Sequence, residues 1–415
     1  MRVLFVNRYY YPDHSATSQM LTDLTKDLHQ TGMDITVIAG RQLIDEPQAA
    51  LAVHERLDGI DVYRAWSTHF GREKLVGRGI DYLSFYLGAG WRLLSLCRSG
   101  DVVVAKTDPP LISVIAGLVA RLRGARLVNW LHDLFPEIAE RLEMPFVRGY
   151  LARALCGLRN HSLRRARCNV VIGARMAEQV MALGIAPERV TVIHNWCDGE
   201  EIQPQRLAGH WLREAWKLEA RFVVVYSGNM GYAHEFDTIL DAAHRLRDRT
   251  DIVFLFIGGG VQRERIEREA GDRGLTNVQF KPYQPREALS QSLSAANVHL
   301  VSLLPRLEGL MVPSKFYAIA AAGRPALFIG AGDGELARLI DEQNCGFHVE
   351  VGAGEALADR ITALAADPGM AHRQGVAARR LFDERFERRL ASGAWQRVLQ
   401  GAAADIGVTG GGAAP

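Results

Sequence analysis

Between residues 305 and 325 the chain reads PRLEGLMVPSKFYAIAAAGRP. Arg306 and Glu308 precede an apolar turn, and Ser314 is a candidate N-cap. Residues 315–322 have helical composition, closed by Gly323 and Pro325. The pattern predicts Arg306, Glu308, Ser314 and Lys315 at one helix N-terminus, where backbone N–H groups and the dipole favour anions. Two cations, one carboxylate and a helix start are what a phosphate ester with a hydroxylated group attached requires. A solvated turn with an ordinary cap would use the same residue types.

Other polar residues stand where apolar runs end. NRYYYPDHSATSQM follows the first run and enters a helix through Ser15, Ala16, Thr17 and Ser18, small residues that let a backbone approach a phosphate. His132 and Asp133 follow a later run, ahead of Pro136. Gly228 and Asn229 follow another; Gly228 permits close backbone approach, and Asn229 can donate to a phosphate or a sugar. Tyr283 lies in a proline-flanked loop that can stack on a base, and Glu335 adds a carboxylate after a further run. Each of these also has an ordinary structural reading as a cap or turn residue.

Positioning such groups requires alternating strands and helices. Short apolar runs at 2–7, 34–39, 60–64, 101–106, 126–132, 168–172 and 190–194 read as buried parallel strands. Helical stripes fall at 19–31, 81–97, 111–122 and 173–183. A second series opens at 221–226 and continues through strands at 252–257, 278–280, 298–302 and 326–329, with helices between them. The prediction is an α/β chain of two doubly wound, Rossmann-like domains facing a cleft. The first covers 1–200 and the second 201–380. A helix over 381–402 and a flexible tail over 403–415 complete the chain. In such sheets ligands bind beyond the carboxyl ends of the strands.

Composition removes several classes. A 415-residue chain with 48% hydrophobic and 23% charged residues is globular. A net charge of +2 implies no global attraction to nucleic acid. Five scattered cysteines, with no CxxC, argue against a disulfide scaffold or structural zinc and suit a cytoplasmic protein. The opening MRVLFVN reads directly as a strand, so no signal peptide is expected, nor any spanning helix. Neither sheet carries GxGxxG, which disfavours an NAD-dependent oxidoreductase.

The segments YYYPDHSATSQMLTDL, HDLFPE, VTVIHNWCD, VVVYSGNMG, FLFIGGG and VPSKFYAIAAAGRP, in this order, resemble the retaining family 4 glycosyltransferases of the GT-B fold. Bacterial members that build exopolysaccharide or O-antigen repeats, the WcaI-like and WbuB-like transferases among them, are the nearest in pattern, over about residues 1–400. The resemblance implies a nucleotide-diphosphate sugar as donor, held mainly by the second domain, and an acceptor on the first, with neither cofactor nor metal. It implies that Ser15–Ser18 approach the donor diphosphate and sugar, with His132 near the transferred sugar. Asn229 would lie under the phosphates and Tyr283 beside the base. Arg306 and Lys315 would neutralise the diphosphate, and Glu308 would bond sugar hydroxyls. Two departures stand out. Many members carry a second glutamate where this chain has Ala318. The usual Arg…Lys pair after SGNMG is missing, with His234 and Glu235 near the lysine position, so that Lys315 would supply the charge.

Residues 141–167 hold seven arginines (141, 148, 153, 159, 164, 165 and 167) against Glu143 alone, interleaved with Leu142, Met144, Phe146, Tyr150, Leu151, Leu155 and Leu158. This predicts a basic amphipathic stretch suited to an anionic membrane surface, aided by Phe85, Tyr86 and Trp91 on the helix near 83–96. A packed helix with a solvated arginine side is the alternative. The first reading suits a lipid-linked saccharide acceptor and a peripheral position on the cytoplasmic face of the inner membrane. Two other functions fit the architecture: a nucleotide-sugar epimerase or hydrolase acting on the donor alone, and a non-catalytic nucleotide-sugar-binding protein.

Overall fold

A computed structural model describes residues 1–404 apart from 45, 47, 71–74, 145, 146, 148 and 208. The expected flexible tail lies outside the described residues from 405 onward. The chain forms two compact units, Met1–Ile193 with the segment from Ala391 onward, and His194–Leu390.

The first unit runs β1 (Arg2–Val6), α1 (Ala16–Gln30), β2 (Asp34–Gly40), β3 (His54–Leu57), β4 (Ile60–Ala65), α2 (Leu75–Leu96) and β5 (Val102–Lys106). It continues with α3 (Ile112–Arg123), β6 (Arg126–Leu131), α4 (Glu137–Arg141), α5 (Gly149–Arg165), β7 (Cys168–Val171), α6 (Ala174–Ala182) and β8 (Val190–Val192). Its sheet has the order β3-β4-β2-β1-β5-β6-β7-β8 and is parallel except for β3. The expected strands are present, each within a few residues. The sequence reading omitted β3, which pairs antiparallel with β4 across Asp58-Gly59, both at positive φ. That Asp-Gly pair is a two-residue hairpin signal.

The second unit runs α7 (Trp211–Ala215), β9 (Phe222–Ser227), α8 (Asp237–Arg245), β10 (Ile252–Ile257), α9 (Arg263–Asp272), β11 (Val278–Lys281), α10 (Leu289–Ser294) and β12 (Val298–Ser302). It closes with α11 (Lys315–Ala321), β13 (Ala326–Ile329), α12 (Glu335–Gln343), β14 (Gly346–Val349), α13 (Gly354–Ala366) and α14 (Pro368–Arg385). The all-parallel order is β11-β10-β9-β12-β13-β14. The winding of the chain reverses between the parallel neighbours β1 and β5 in the first unit and β9 and β12 in the second, the places where such sheets open a crevice for ligands. Apolar side chains of the strands and of α8 and α13 make the second unit's core; α2 and α3 close the first.

The single helix expected over 381–402 is two, α14 and α15 (Arg388–Ala404). The break has a local cause within the second unit. Phe386 is buried edge-on against Tyr317, centroids 4.8 Å apart, and against His194 at 5.3 Å. Its carbonyl accepts from Cys197 N, and Arg388 N donates to Cys197 O, so residues 386–388 pair with an extended segment instead of continuing a helix.

His299 in β12 is fully buried, and its Nε2–H donates to Leu293 O at 2.8 Å. Burial pushes the imidazole down to about 4. The unfolded chain therefore binds this proton more readily than the folded one. The contribution of His299 is complete above about 6.5 and is lost as pH falls toward 4. His299→Gln, which keeps a donor for Leu293 O, is expected to flatten the acid-side loss of stability by one proton, roughly 1.4 kcal/mol per pH unit in that window. Urea unfolding of the second unit followed across pH measures it; an unchanged slope would show that another group titrates.

Candidate functional site

In the second unit the candidate residues gather at the carboxyl ends of β9, β10 and β12. The loops after β9 and β10 meet backbone to backbone. Gly228 N donates to Ile257 O at 2.9 Å and Met230 N to Gly259 O at 2.7 Å. Gly258, at φ 131°, has no room for a side chain, since a Cβ there would lie 2.3 Å from Gly228 O. Asn229 lies against Gly260 in the same contact, and Tyr283 lies against Gly259 with its ring half-exposed. Arg263, in the slot a third glycine would occupy in a dinucleotide fingerprint, donates from Nη1 to Gly258 O at 2.5 Å and ties the loop down.

Lys315 opens α11 and folds back over Tyr226, its Nζ 3.6 Å from the ring centroid. The ammonium is also 3.9 Å from the place of a Cβ on Gly228. Part of the stem is exposed, but Nζ is buried and has no hydrogen-bond partner among the described residues. Burial pushes its pKa well below the usual lysine value. Lys315 in turn helps burial hold His234 at about 3; the imidazole is neutral and donates from Nδ1 to Ser302 O at 2.6 Å. The ring face offsets part of the cost of burying the ammonium. Ser314 occupies the N-cap position as expected, but its side chain makes no capping bond and is exposed. Gly323 closes the helix at φ 63° as expected.

Glu308 and Glu335 come together. Glu308 Oε1 accepts from Glu335 N at 2.8 Å, capping α12, and Glu308 Oε2 leaves no room for a Cβ on Gly334. Glu335 lies 3.9 Å from His194 Nδ1. Glu308 thus has a structural duty that its place in the sequence did not suggest. Arg306 stays apart from Lys315 in character: it is exposed on the 305–307 turn with no ion pair among the described residues.

In the first unit the groups stand at the ends of β1, β5 and β6. Ser15 occupies the N-cap position of α1, but its N–H and hydroxyl both donate to Asp13 Oδ1, at 2.9 and 2.5 Å. Ala16 and Thr17 form the first turn, and Thr17 O accepts from Lys106 Nζ at 2.6 Å. That lysine, which sequence reasoning passed over as a strand end, is buried with Nζ 3.9 Å from the Trp130 ring centroid. Trp130 packs between it and Trp395 of α15, 4.7 Å away, and tilts against His132 at 5.1 Å. His132 is buried, its N–H bonds Thr107 Oγ1 at 3.1 Å, and its Nε2 has no partner among the described residues. Burial, then the charge of Lys106, hold its imidazole well below 6.5. Asp133 is reached by water, yet the protein around it and then Asp108 raise its carboxyl to about 6.

The basic stretch is only partly as expected. Arg148 and Phe146 lie outside the described residues. Arg159 is buried and ion-paired with Glu137, so it belongs to the interior. Arg153, Arg164 and Arg165 are exposed on α5 with Tyr150, Leu151 and Leu158. On α2, Phe85 points into the core, not outward, and Tyr86 bonds Pro110 O; Leu83, Leu87 and Trp91 form the exposed stripe. Leu118 and Leu122 add to it from α3, which packs against both α2 and α5. No helix among the described residues is long and apolar enough to cross a membrane.

Residues 16–196 match the glycosyl transferase 4-like domain, and residues 212–381 match the glycosyl transferases group 1 family. WbjE of Pseudomonas aeruginosa, assigned as a glycosyltransferase, is 28% identical over 293 residues, 70% of this chain and 72% of WbjE. WcaI of Escherichia coli (strain K12), assigned to glycosyl transfer in colanic acid biosynthesis, is 29% identical over 230 residues, 54% of this chain and 56% of WcaI. HepE of Anabaena, solved in complex with UDP-glucose, superposes with a TM-score of 0.72 at 15% identity, covering 96% of this chain and 99% of HepE.

Lys106 links α1 through Thr17 O, Trp130 through its ring face and His132 through its charge, which makes it a positioning residue for the His132 imidazole. Lys106→Met is expected to leave the unit folded, because it replaces a buried charge by an apolar chain of similar length. It should speed amide exchange in the first turn of α1 and let the His132 imidazole titrate closer to 6.5, both read by NMR. A His132 titration that does not move would remove the assigned coupling.

Proposed function

The chain belongs to the family 4 glycosyltransferases of the GT-B fold, and we propose that it moves a sugar from a nucleoside-diphosphate donor to a lipid-linked saccharide with retention of configuration, in bacterial exopolysaccharide or O-antigen assembly. The observation that carries the donor half is the Lys315 ammonium, buried beside Gly228 without an anion. A diphosphate entering there meets a fixed cation, the loop at Gly228 and Asn229, and Tyr283 for the base. Breaking the bond from C1 of the sugar to the diphosphate oxygen leaves charge on that oxygen, and a preorganised cation stabilises it without a metal. The acceptor hydroxyl forms its bond to C1 on the same face, and its proton passes to the departing diphosphate. Glu308 bonds hydroxyls of the sugar in this reading. His132, kept neutral, accepts a hydrogen bond from the sugar through Nε2. Ser15, Ala16 and Thr17 present backbone to the donor, and Arg306, Ser314, Asp133 and Glu335 form the surroundings. UDP-sugars are the first donors to try, since HepE was solved with one.

The acceptor half rests on the exposed stripe of α2, α3 and α5. Trp91 is 72% and Tyr150 84% exposed, and α5 carries the exposed Arg153, which stacks over Tyr150, with Arg164 and Arg165. Apolar patches rimmed by cations suit an anionic lipid surface, which would bring a lipid-linked acceptor to a peripheral, cytoplasmic enzyme.

Three outcomes test the reading. In calorimetry with EDTA present, UDP should bind without added metal, and because a bound diphosphate favours the charged lysine, affinity should fall as pH rises. Lys315→Met should weaken binding about 10- to 100-fold and remove that pH dependence; binding that needs a divalent metal would count against the mechanism. Glu308→Gln keeps an acceptor for Glu335 N, so stability should hold while affinity for the nucleotide-sugar drops and that for free UDP does not; equal loss of both would sink the sugar contact. His132→Ala should cut transfer at least about 100-fold with UDP binding retained. Donor hydrolysis without any acceptor requirement would favour the hydrolase reading instead.

A further inference from the structure

In the first unit α3 and α5 pack side by side and leave between them a groove of about 470 Å3. Leu118 and Leu127 contribute to apolar walls, and the charged lining is all of one sign: Arg121, Arg126 and Arg165, with His161 beside them. No carboxylate lines it among the described residues. The neighbouring arginines have internal work. Arg123 donates to Leu94 O, Arg159 pairs with Glu137, and Arg189 donates to Arg164 O. The three in the groove have no ion pair among the described residues, and Arg126 Nε is buried without a hydrogen-bond acceptor.

The apolar walls decide which anion. Leu118 both lines the groove and is exposed on the outer stripe, so the groove opens directly onto the face formed by Leu122, Leu158 and Trp91. Free phosphate has no use for those walls. A phosphate that carries an acyl chain has a use for both. The place also separates it from the reaction. Arg126 begins β6 and His132 follows its end, so the groove lies at the amino end of that strand, roughly 20 Å from the catalytic floor.

We propose that the α3/α5 groove is a binding site for an anionic phospholipid, its phosphate held by Arg121, Arg126 and Arg165 and the start of an acyl chain lying against Leu118 and Leu127. The inference rests on the membrane reading above and adds a defined site to a diffuse surface. It makes this lipid a tether, distinct from the acceptor.

The full chain is compared with two double variants that remove equal charge: Arg121→Gln with Arg165→Gln in the groove, and Arg153→Gln with Arg164→Gln on the outer face of α5. Each is mixed with phosphatidylcholine vesicles with and without phosphatidylglycerol. Each is also titrated with dihexanoyl-phosphatidylglycerol below its micellar concentration and with inorganic phosphate, followed by thermal shift. The expected result is saturable stabilisation of the parent and of the outer-face variant by the short-chain lipid, its loss in the groove variant, and vesicle affinity in the groove variant roughly 30-fold weaker. Inorganic phosphate as effective as the lipid would overturn the lipid assignment. Anionic vesicles bound equally by both variants, with no saturation by the short-chain lipid, would overturn the groove and leave the membrane reading standing. A parent chain that ignores anionic vesicles would overturn both.

Discussion

Each half of this chain holds one lysine ammonium out of water against the face of an aromatic ring. Lys106 lies 3.9 Å from the Trp130 centroid, and Lys315 lies 3.6 Å from that of Tyr226. A buried ammonium is among the more expensive groups a fold can carry, and a ring face offsets only part of that cost. Each lysine also depresses a nearby imidazole, His132 in one unit and His234 in the other. The pairing differs in its consequence. Lys106 spends a hydrogen on Thr17 O and so serves the first unit's own architecture. Lys315 Nζ finds no hydrogen-bond acceptor among the described residues and rests on the Tyr226 ring alone.

The second unit is built closely around that lysine. The strand ends approach closely enough that Gly258 and Gly228 touch through backbone alone, which brings main chain rather than side chain to the space beside Lys315. Helix α11 must begin at Lys315 itself for its ammonium to fold back over Tyr226. Glu308, six residues before the Ser314 N-cap in sequence, is restrained by the bond it accepts from Glu335 N at the start of α12.

The strand–helix alternation, the second sheet and the helix from Lys315 to Gly323 were legible because hydrophobic periodicity and glycine caps are local signals. Placement of His132 at a strand end was legible for the same reason. What escaped depended on partners far away in sequence. Lys106 closes an otherwise apolar strand and was not singled out; its burial needs Trp130 and Thr17. Arg159 counted toward a basic surface until Glu137, on another helix, drew it inside. The helix break at Phe386 follows from Tyr317 and Cys197, neither near it in the chain. In each case composition was read correctly and the partner was invisible. A charged residue that ends a β-branched run, as in VVVAK, is the one signal that would have singled out Lys106.

Ala318 marks the largest departure from the family pattern, since many members have glutamate there. Position 318 lies three residues beyond Lys315 on α11, the spacing at which opposite charges pair along a helix. A glutamate at 318 would offer the ammonium an intramolecular partner. With alanine there, α11 offers the lysine no such partner, and the ring face of Tyr226 from β9 is what its ammonium rests on.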